Sequence, residues 1–147
     1  MVEKNTHAQR SGCPIACALD IIGDHWTLIV VRDLMFMGRH EYKDMVAAEE
    51  GISSNILVDR LRKLEQNDII GSIPHPGSGR RKLYYLTDKG KGLIDIMVEI
   101  CIWGEKYLAH AVRIPPDLRE LLVRDPEAMK RQTLAGLDAW EKESGLR

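Results

Sequence analysis

A chain of 147 residues can bury one hydrophobic core but not two independent ones, so a single core with appendages is expected. Its 44% hydrophobic and 29% charged residues exclude a disordered chain, and no apolar run reaches the roughly 18 residues that a membrane span needs. A net charge of −1 argues against nucleic-acid binding through bulk positive charge. The distribution is uneven, however. Residues 1–52 carry five basic and eight acidic side chains, whereas residues 53–82 carry six basic and three acidic. The first dozen residues are polar and lack the apolar core of a secretory signal. Three cysteines without paired spacing suit a reducing compartment rather than a disulfide framework. A cytoplasmic protein without membrane contact is the expectation.

Pro14 lacks an amide hydrogen and fits the first turn of a helix. Ile15, Leu19 and Ile22 follow at helical spacing until Gly23 stops it, which makes Cys13 the N-cap. Asp24 can cap a second helix holding Trp26, Leu28, Ile29, Val30, Leu34 and Met35, so apolar that it belongs in the core; Gly38 ends it. Residues 43–49 read as a short helix, Glu50 and Gly51 as a turn, and Ser53 as the cap of a helix reaching about residue 66. On that helix Ile56, Leu57, Leu61 and Leu64 share one face, while Asn55, Asp59, Arg62 and Gln66 share the opposite one.

Residues 69–74 and 82–87 are rich in Ile, Leu or Tyr and flank the run PHPGSGRR, which predicts a hairpin with a flexible basic tip. Thr87 or Asp88 then caps a long helix. Leu93, Met97, Ile100, Tyr107 and Ala111 form one apolar stripe on it, and Ile94, Cys101 and Leu108 form another. One stripe can pack on its own domain; the second calls for another subunit. Leu93, Met97, Ile100, Trp103 and Tyr107 are therefore the expected dimer interface. After Pro115 and Pro116 two further helices are predicted, at 117–124 and from 125 to about 140.

A short helix, a turn, a polar-faced helix and a basic hairpin follow the order of a winged helix-turn-helix. The expected fold is mainly α with a small β-hairpin wing (α+β), dimeric through its terminal helices. Residues 1–112 would form the DNA-binding and dimerisation domain, and residues 113–147 a C-terminal helical extension packed on the same domain or dimer. In such a fold the second helix enters the major groove, where side chains near its N-terminus reach base edges. Ser53, Ser54, Asn55 and Asp59 occupy that position, with Arg60, Arg62 and Lys63 nearer the phosphates. Arg60 can equally make an internal ion pair. Ser78, Arg80, Arg81 and Lys82 of the wing would contact backbone or an adjacent minor groove. A tight hairpin needs glycine but not three consecutive cations, which favours DNA contact at the wing.

At a helix N-terminus the Cys13 thiol would face unpaired amides and the positive end of the helix dipole, both of which favour thiolate, with Arg10 adding to this. The alternative is a small residue that simply packs at a helix end. Cys17 and Cys101 lie on apolar faces and read as core residues. Cys13, Cys17 and a histidine lack the companions that would complete a metal site, so neither metal nor other cofactor is expected. Trp26 and Trp103 read as core and interface anchors. Aromatic residues near a dimer cleft leave room for a small apolar ligand. A phosphate-binding glycine loop and a nucleophile elbow are both missing, which argues against an enzyme.

The segments CPIACALDIIGDHWTLIVVRDLM, GISSNILVDRLRKLEQNDII, KLYYLTDKGK and ICIWG, spread over residues 13–104, resemble the HxlR-type winged-helix regulators of bacteria and archaea, relatives of the MarR group. The resemblance implies a homodimer with terminal helices at its interface, a pseudo-palindromic operator in double-stranded DNA, and often a redox or electrophile response at the cysteine matching Cys13. Asn55 and Val58 depart from the basic and hydroxyl side chains expected there, Asp68 stands where glycine is usual, and the tail from Arg113 exceeds the family core. Two alternatives remain beside a redox-responsive DNA-binding regulator: a ligand-sensing MarR-like regulator, and a winged-helix module that binds protein without DNA.

Overall fold

The computed structural model describes residues 11–147; Arg10, expected beside the Cys13 thiol, lies outside the described residues. Local chemistry sets most element ends. Helix α1 (Pro14–Ile22) begins at its proline with Cys13 in the N-cap position, and the Gly23 amide closes it onto the Leu19 carbonyl at 2.8 Å. Asp24 Oδ1 accepts the amides of Trp26 and Thr27, each at 2.9 Å, and so caps the turn that opens α2 (Thr27–Met35). Helix α3 (Tyr42–Val46) is shorter than predicted and starts one residue earlier. The Ser53 hydroxyl accepts the Ile56 amide at 3.3 Å and caps α4 (Ser54–Gln66).

Helix α4 ends in a Schellman turn. Ile69 donates its amide to the Leu64 carbonyl at 2.9 Å and Asp68 donates to Glu65 at 3.0 Å, with Asp68 at φ 59°. A left-handed backbone is what glycine tolerates best, which explains why the resemblance expects glycine at this position.

Strands β1 (Ile70–His75) and β2 (Ser78–Leu86) pair antiparallel, from Ile70 opposite Leu86 to Pro74 opposite Lys82, with a register shift between Pro74 and His75. The second strand thus starts at Ser78, not residue 82. Pairing of His75 with Ser78 across the irregularity carries the ladder outward, so Arg80, Arg81 and Lys82 stand on a strand rather than on a flexible tip. The predicted long helix is also divided, into α5 (Asp88–Lys91), capped by the Thr87 hydroxyl, and α6 (Ile94–Tyr107). Gly90 and Gly92 weaken helix propagation at the break. Gly90 lets the Ile69 carbonyl approach to where a Cβ would sit at 2.1 Å. Helices α7 (Pro116–Arg124) and α8 (Pro126–Glu143) complete the chain, the latter capped by Asp125 through the Ala128 amide at 3.0 Å.

The core joins Val30, Val31 and Leu34 of α2 to Leu57, Leu61 and Leu64 of α4, to Ile70 and Leu86 of the sheet, and to Val98 of α6. Leu122 of α7 and Leu137 of α8 are buried in the same cluster. Charged groups inside it are matched. Asp33 lies 2.6 Å from Arg32 and 3.0 Å from Arg39, and Glu141 lies 2.6 Å from Lys91 and 2.9 Å from Arg147. No single helix among the described residues is long and apolar enough to cross a membrane.

Candidate nucleic-acid interface

Leu57, Leu61 and Leu64 fasten one face of α4 to the core, leaving Ser53, Ser54, Asn55, Val58, Asp59 and Arg62 exposed on its outer side. The cations beside them are not equivalent. Arg60 donates from Nε to Asp24 Oδ1 at 2.9 Å and also pairs with Asp59. Its guanidinium is thus engaged inside the subunit, where Arg60 ties α4 to the residue that caps α2. Lys63 lies 3.8 Å from the same carboxylate. Burial would raise the Asp24 carboxyl, but hydrogen bonds from the Thr27 hydroxyl, Arg60 and two amides outweigh it and hold it well below the usual carboxylate range. Arg62 makes no ion pair among the described residues.

The wing divides in the same way. Arg81 donates from Nε to Glu41 Oε1 at 2.8 Å, and this hydrogen bond, ahead of the cost of burial, holds the Glu41 carboxyl below its ordinary value. His75 and Lys43 also come within 3.7 and 3.8 Å of that carboxylate. Arg81 therefore joins the wing to the residue preceding α3. Arg80 and Lys82, its neighbours along β2, are exposed and have no acidic partner among the described residues. Ser78 is half-buried at the turn.

The turn before α4 has its own clamp. Arg32 on α2 binds Glu50 at 2.9 Å and holds that carboxyl at about 2. Sequence reasoning missed Glu41, Glu50 and His40, because their partners lie on other elements. His40 is bound to the wing twice: its carbonyl accepts the Tyr84 amide at 2.8 Å and its Nδ1 sits 2.9 Å from the Tyr84 carbonyl. Its ring stacks on Trp140 of α8, with centroids 3.5 Å apart and planes at 8°. Burial pushes the ring below its ordinary pKa despite the opposing Tyr84 carbonyl and Glu141.

Cys13 is exposed, and its side chain makes no hydrogen bond to the α1 amides; its own amide donates to the Ser11 hydroxyl at 3.1 Å. Cys17 and Cys101 are half-buried rather than fully in the core, and burial pushes the Cys101 thiol up. Of the expected interface residues, Ile100, Trp103 and Tyr107 are exposed, at 51%, 57% and 57%, and Leu93 is half-buried. Met97 is 6% exposed and belongs to the core. It shares the buried face of α6 with Ile94 and Val98. Ile15 and Leu19 of α1 add exposed apolar surface. Trp26 is half-buried against the core.

A short helix and turn, a helix locked to the core by one face, and a two-stranded hairpin define a winged helix-turn-helix transcriptional regulator. The chain belongs to the HxlR-like helix-turn-helix family, which it matches over residues 21–112. It is 31% identical over 108 residues to the uncharacterized HTH-type transcriptional regulator Mb3122 of Mycobacterium bovis, covering 74% of this chain and 67% of that one. The crystal structure of PA1607 superposes with a TM-score of 0.62 at 38% identity, over 76% of this chain and 72% of that one. The redox regulator HypR in its oxidized form gives a TM-score of 0.56 at 28% identity, over 64% and 96%.

Proposed function

We propose that the protein binds a pseudo-palindromic operator in double-stranded DNA as a homodimer, with α4 in the major groove and the wing on the flanking backbone. The observation that carries this reading is the sorting of cations. Arg60 and Arg81 are engaged in fixing the helix and the wing, while Arg62 on α4 and Arg80 and Lys82 on the wing are left exposed. Phosphate contacts set position and groove-facing polar groups set sequence; here these would be Ser53, Ser54, Asn55 and Asp59, with Lys63 contributing at the edge. Exposed Ile100, Trp103 and Tyr107, beside Leu93 and with Ile15 and Leu19, supply the apolar surface for the second subunit. Residues 1–112 would bind DNA and dimerise, and residues 113–147 would act as an extension of the same unit.

The test is footprinting on DNA flanking the protein's own gene, followed by affinity measurements across salt concentrations. Wild type is expected to protect a two-fold site. Arg80→Ala and Lys82→Ala each remove one phosphate contact per subunit and two per dimer, and are expected to lower the slope of log affinity against log salt by about 2, whereas Arg81→Ala, whose charge is already matched by Glu41, changes it less. Absence of any protected site would favour a protein-interaction module instead.

A redox or electrophile response at Cys13 deepens this reading, supported by the exposed thiol next to Ile15 on the proposed dimer surface and by the likeness to a redox regulator. Two thiols on different subunits would give up two electrons and two protons to diamide and form a disulfide; a small electrophile would alkylate the sulfur instead. Diamide is expected to release operator from wild type and not from Cys13→Ser. Equal release from both would assign the response elsewhere.

A further inference from the structure

Two consecutive residues of α8 grip the root of the wing. Trp140 lays its ring flat on His40, with centroids 3.5 Å apart and planes at 8°. His40 in turn takes both backbone groups of Tyr84 on β2: its carbonyl accepts the Tyr84 amide at 2.8 Å, and its Nδ1 lies 2.9 Å from the Tyr84 carbonyl. A carbonyl oxygen only accepts, so Nδ1 carries the proton and donates. The next residue, Glu141, is 3% exposed and binds Lys91 of α5 at 2.6 Å. Thr87, which caps α5, directly follows the end of β2. Helix α8 lies wholly outside residues 21–112, the span matched to the family, so the tail adds this double grip to the winged-helix domain.

We propose that α8 is a brace for the wing, with Trp140 and His40 as positioning residues that fix β2 at Tyr84 and so hold Arg80 and Lys82 where phosphates are met. Lys82 and Arg80 stand two and four residues beyond Tyr84 toward the tip, about 7 Å and up to about 14 Å away at the rise of an extended strand. Over that arm a tilt of about 5° at Tyr84 displaces Arg80 by about 1 Å, more than the spread of hydrogen-bonded donor–acceptor distances. The two side chains suit the task. Flat rings in contact share a large area, and the imidazole donates from its edge while its face is stacked. An aliphatic residue in place of His40 would deprive the Tyr84 carbonyl of that donor. The brace stands on contacts within the subunit; its effect on operator affinity rests on the DNA-binding reading.

The experiment reads amide hydrogen exchange of the full chain by NMR without DNA, and then operator affinity. In Trp140→Ala the Tyr84 amide is expected to exchange about tenfold faster than in wild type, with the Leu61 and Leu64 amides of α4 unchanged. Trp140→Phe keeps a flat ring on His40 and is expected to restore protection. Trp140→Leu keeps apolar bulk without a flat ring, and is expected to show the same loss as alanine should alanine prevent folding. Operator affinity is expected to fall about tenfold in Trp140→Ala, and not to fall further when that change is added to a chain already carrying Arg80→Ala and Lys82→Ala. A general loss of packing would instead lower affinity equally in both backgrounds. Unchanged Tyr84 exchange in the alanine and leucine variants, or equal acceleration along α4, would overturn the brace. Equal loss of affinity in the two backgrounds, or faster Tyr84 exchange with wild-type affinity, would overturn its role in DNA contact. Absence of operator binding by wild type would overturn the DNA-binding reading and that role together, leaving the brace to the exchange result.

Discussion

Replacing Asp24 with alanine is expected to lower stability by about 2 to 4 kcal/mol, combining the loss of a helix cap with the stranding of a partly buried arginine. One carboxylate serves both purposes: it accepts the Trp26 and Thr27 amides at the start of α2 and the Arg60 guanidinium of α4. Asp24→Asn keeps a cap acceptor and loses the charge, so it should fall between wild type and alanine. Urea denaturation of the three proteins decides this; if asparagine and alanine were equally destabilising, the cap would contribute nothing. The pH dependence has a fixed sign. The Asp24 carboxyl is held below its ordinary value of 3.8, so its contribution is complete above that pH and is lost as pH falls through the folded-state value. The gap between wild type and Asp24→Ala should therefore narrow in acid. Because Arg60 holds α4 in place through the same group, operator affinity should fall in Asp24→Ala even where the protein remains folded.

Ile100→Glu together with Trp103→Glu is expected to break the proposed dimer into monomers, raising its dissociation constant roughly 100-fold or more. Both side chains are more than half exposed within the subunit, so charging them leaves the core intact and places four carboxylates across a two-fold seam. Sedimentation velocity reads the change directly, and thermal melts at low concentration confirm that the subunit still folds. Val123 on α7 is 61% exposed and provides the contrast. If Val123→Glu produced monomers and the α6 pair did not, the seam would lie on the C-terminal helices. Operator affinity should fall with dimerisation, since two half-sites bound by linked subunits gain from effective concentration.

Features decided within a few residues of chain and features decided by packing divide along one physical line. Ser53, Asp24 and Thr87 were legible as caps, and Leu57, Leu61 and Leu64 as a buried face, because capping and helical periodicity are decided within a few residues of chain. The ordered segments between Cys13 and Gly104 likewise marked the family, which the match over residues 21–112 established. Asp68 was legible as a departure, and its φ of 59° supplied the reason. Missed were the length of β2, the break at Gly92 and the inward turn of Met97, where pairing and packing overruled local pattern.

The same line runs through the site. By itself the sequence determined a winged helix-turn-helix with a polar reading helix and a basic wing, since element type and order follow from short-range spacing. Only the tertiary structure decided which cations are free. Arg60 meets a partner 36 residues away and Arg81 one 40 residues away; Arg62, Arg80 and Lys82 meet no acidic partner among the described residues. Side chains of identical chemistry take opposite roles according to which carboxylate the packed backbone brings within reach.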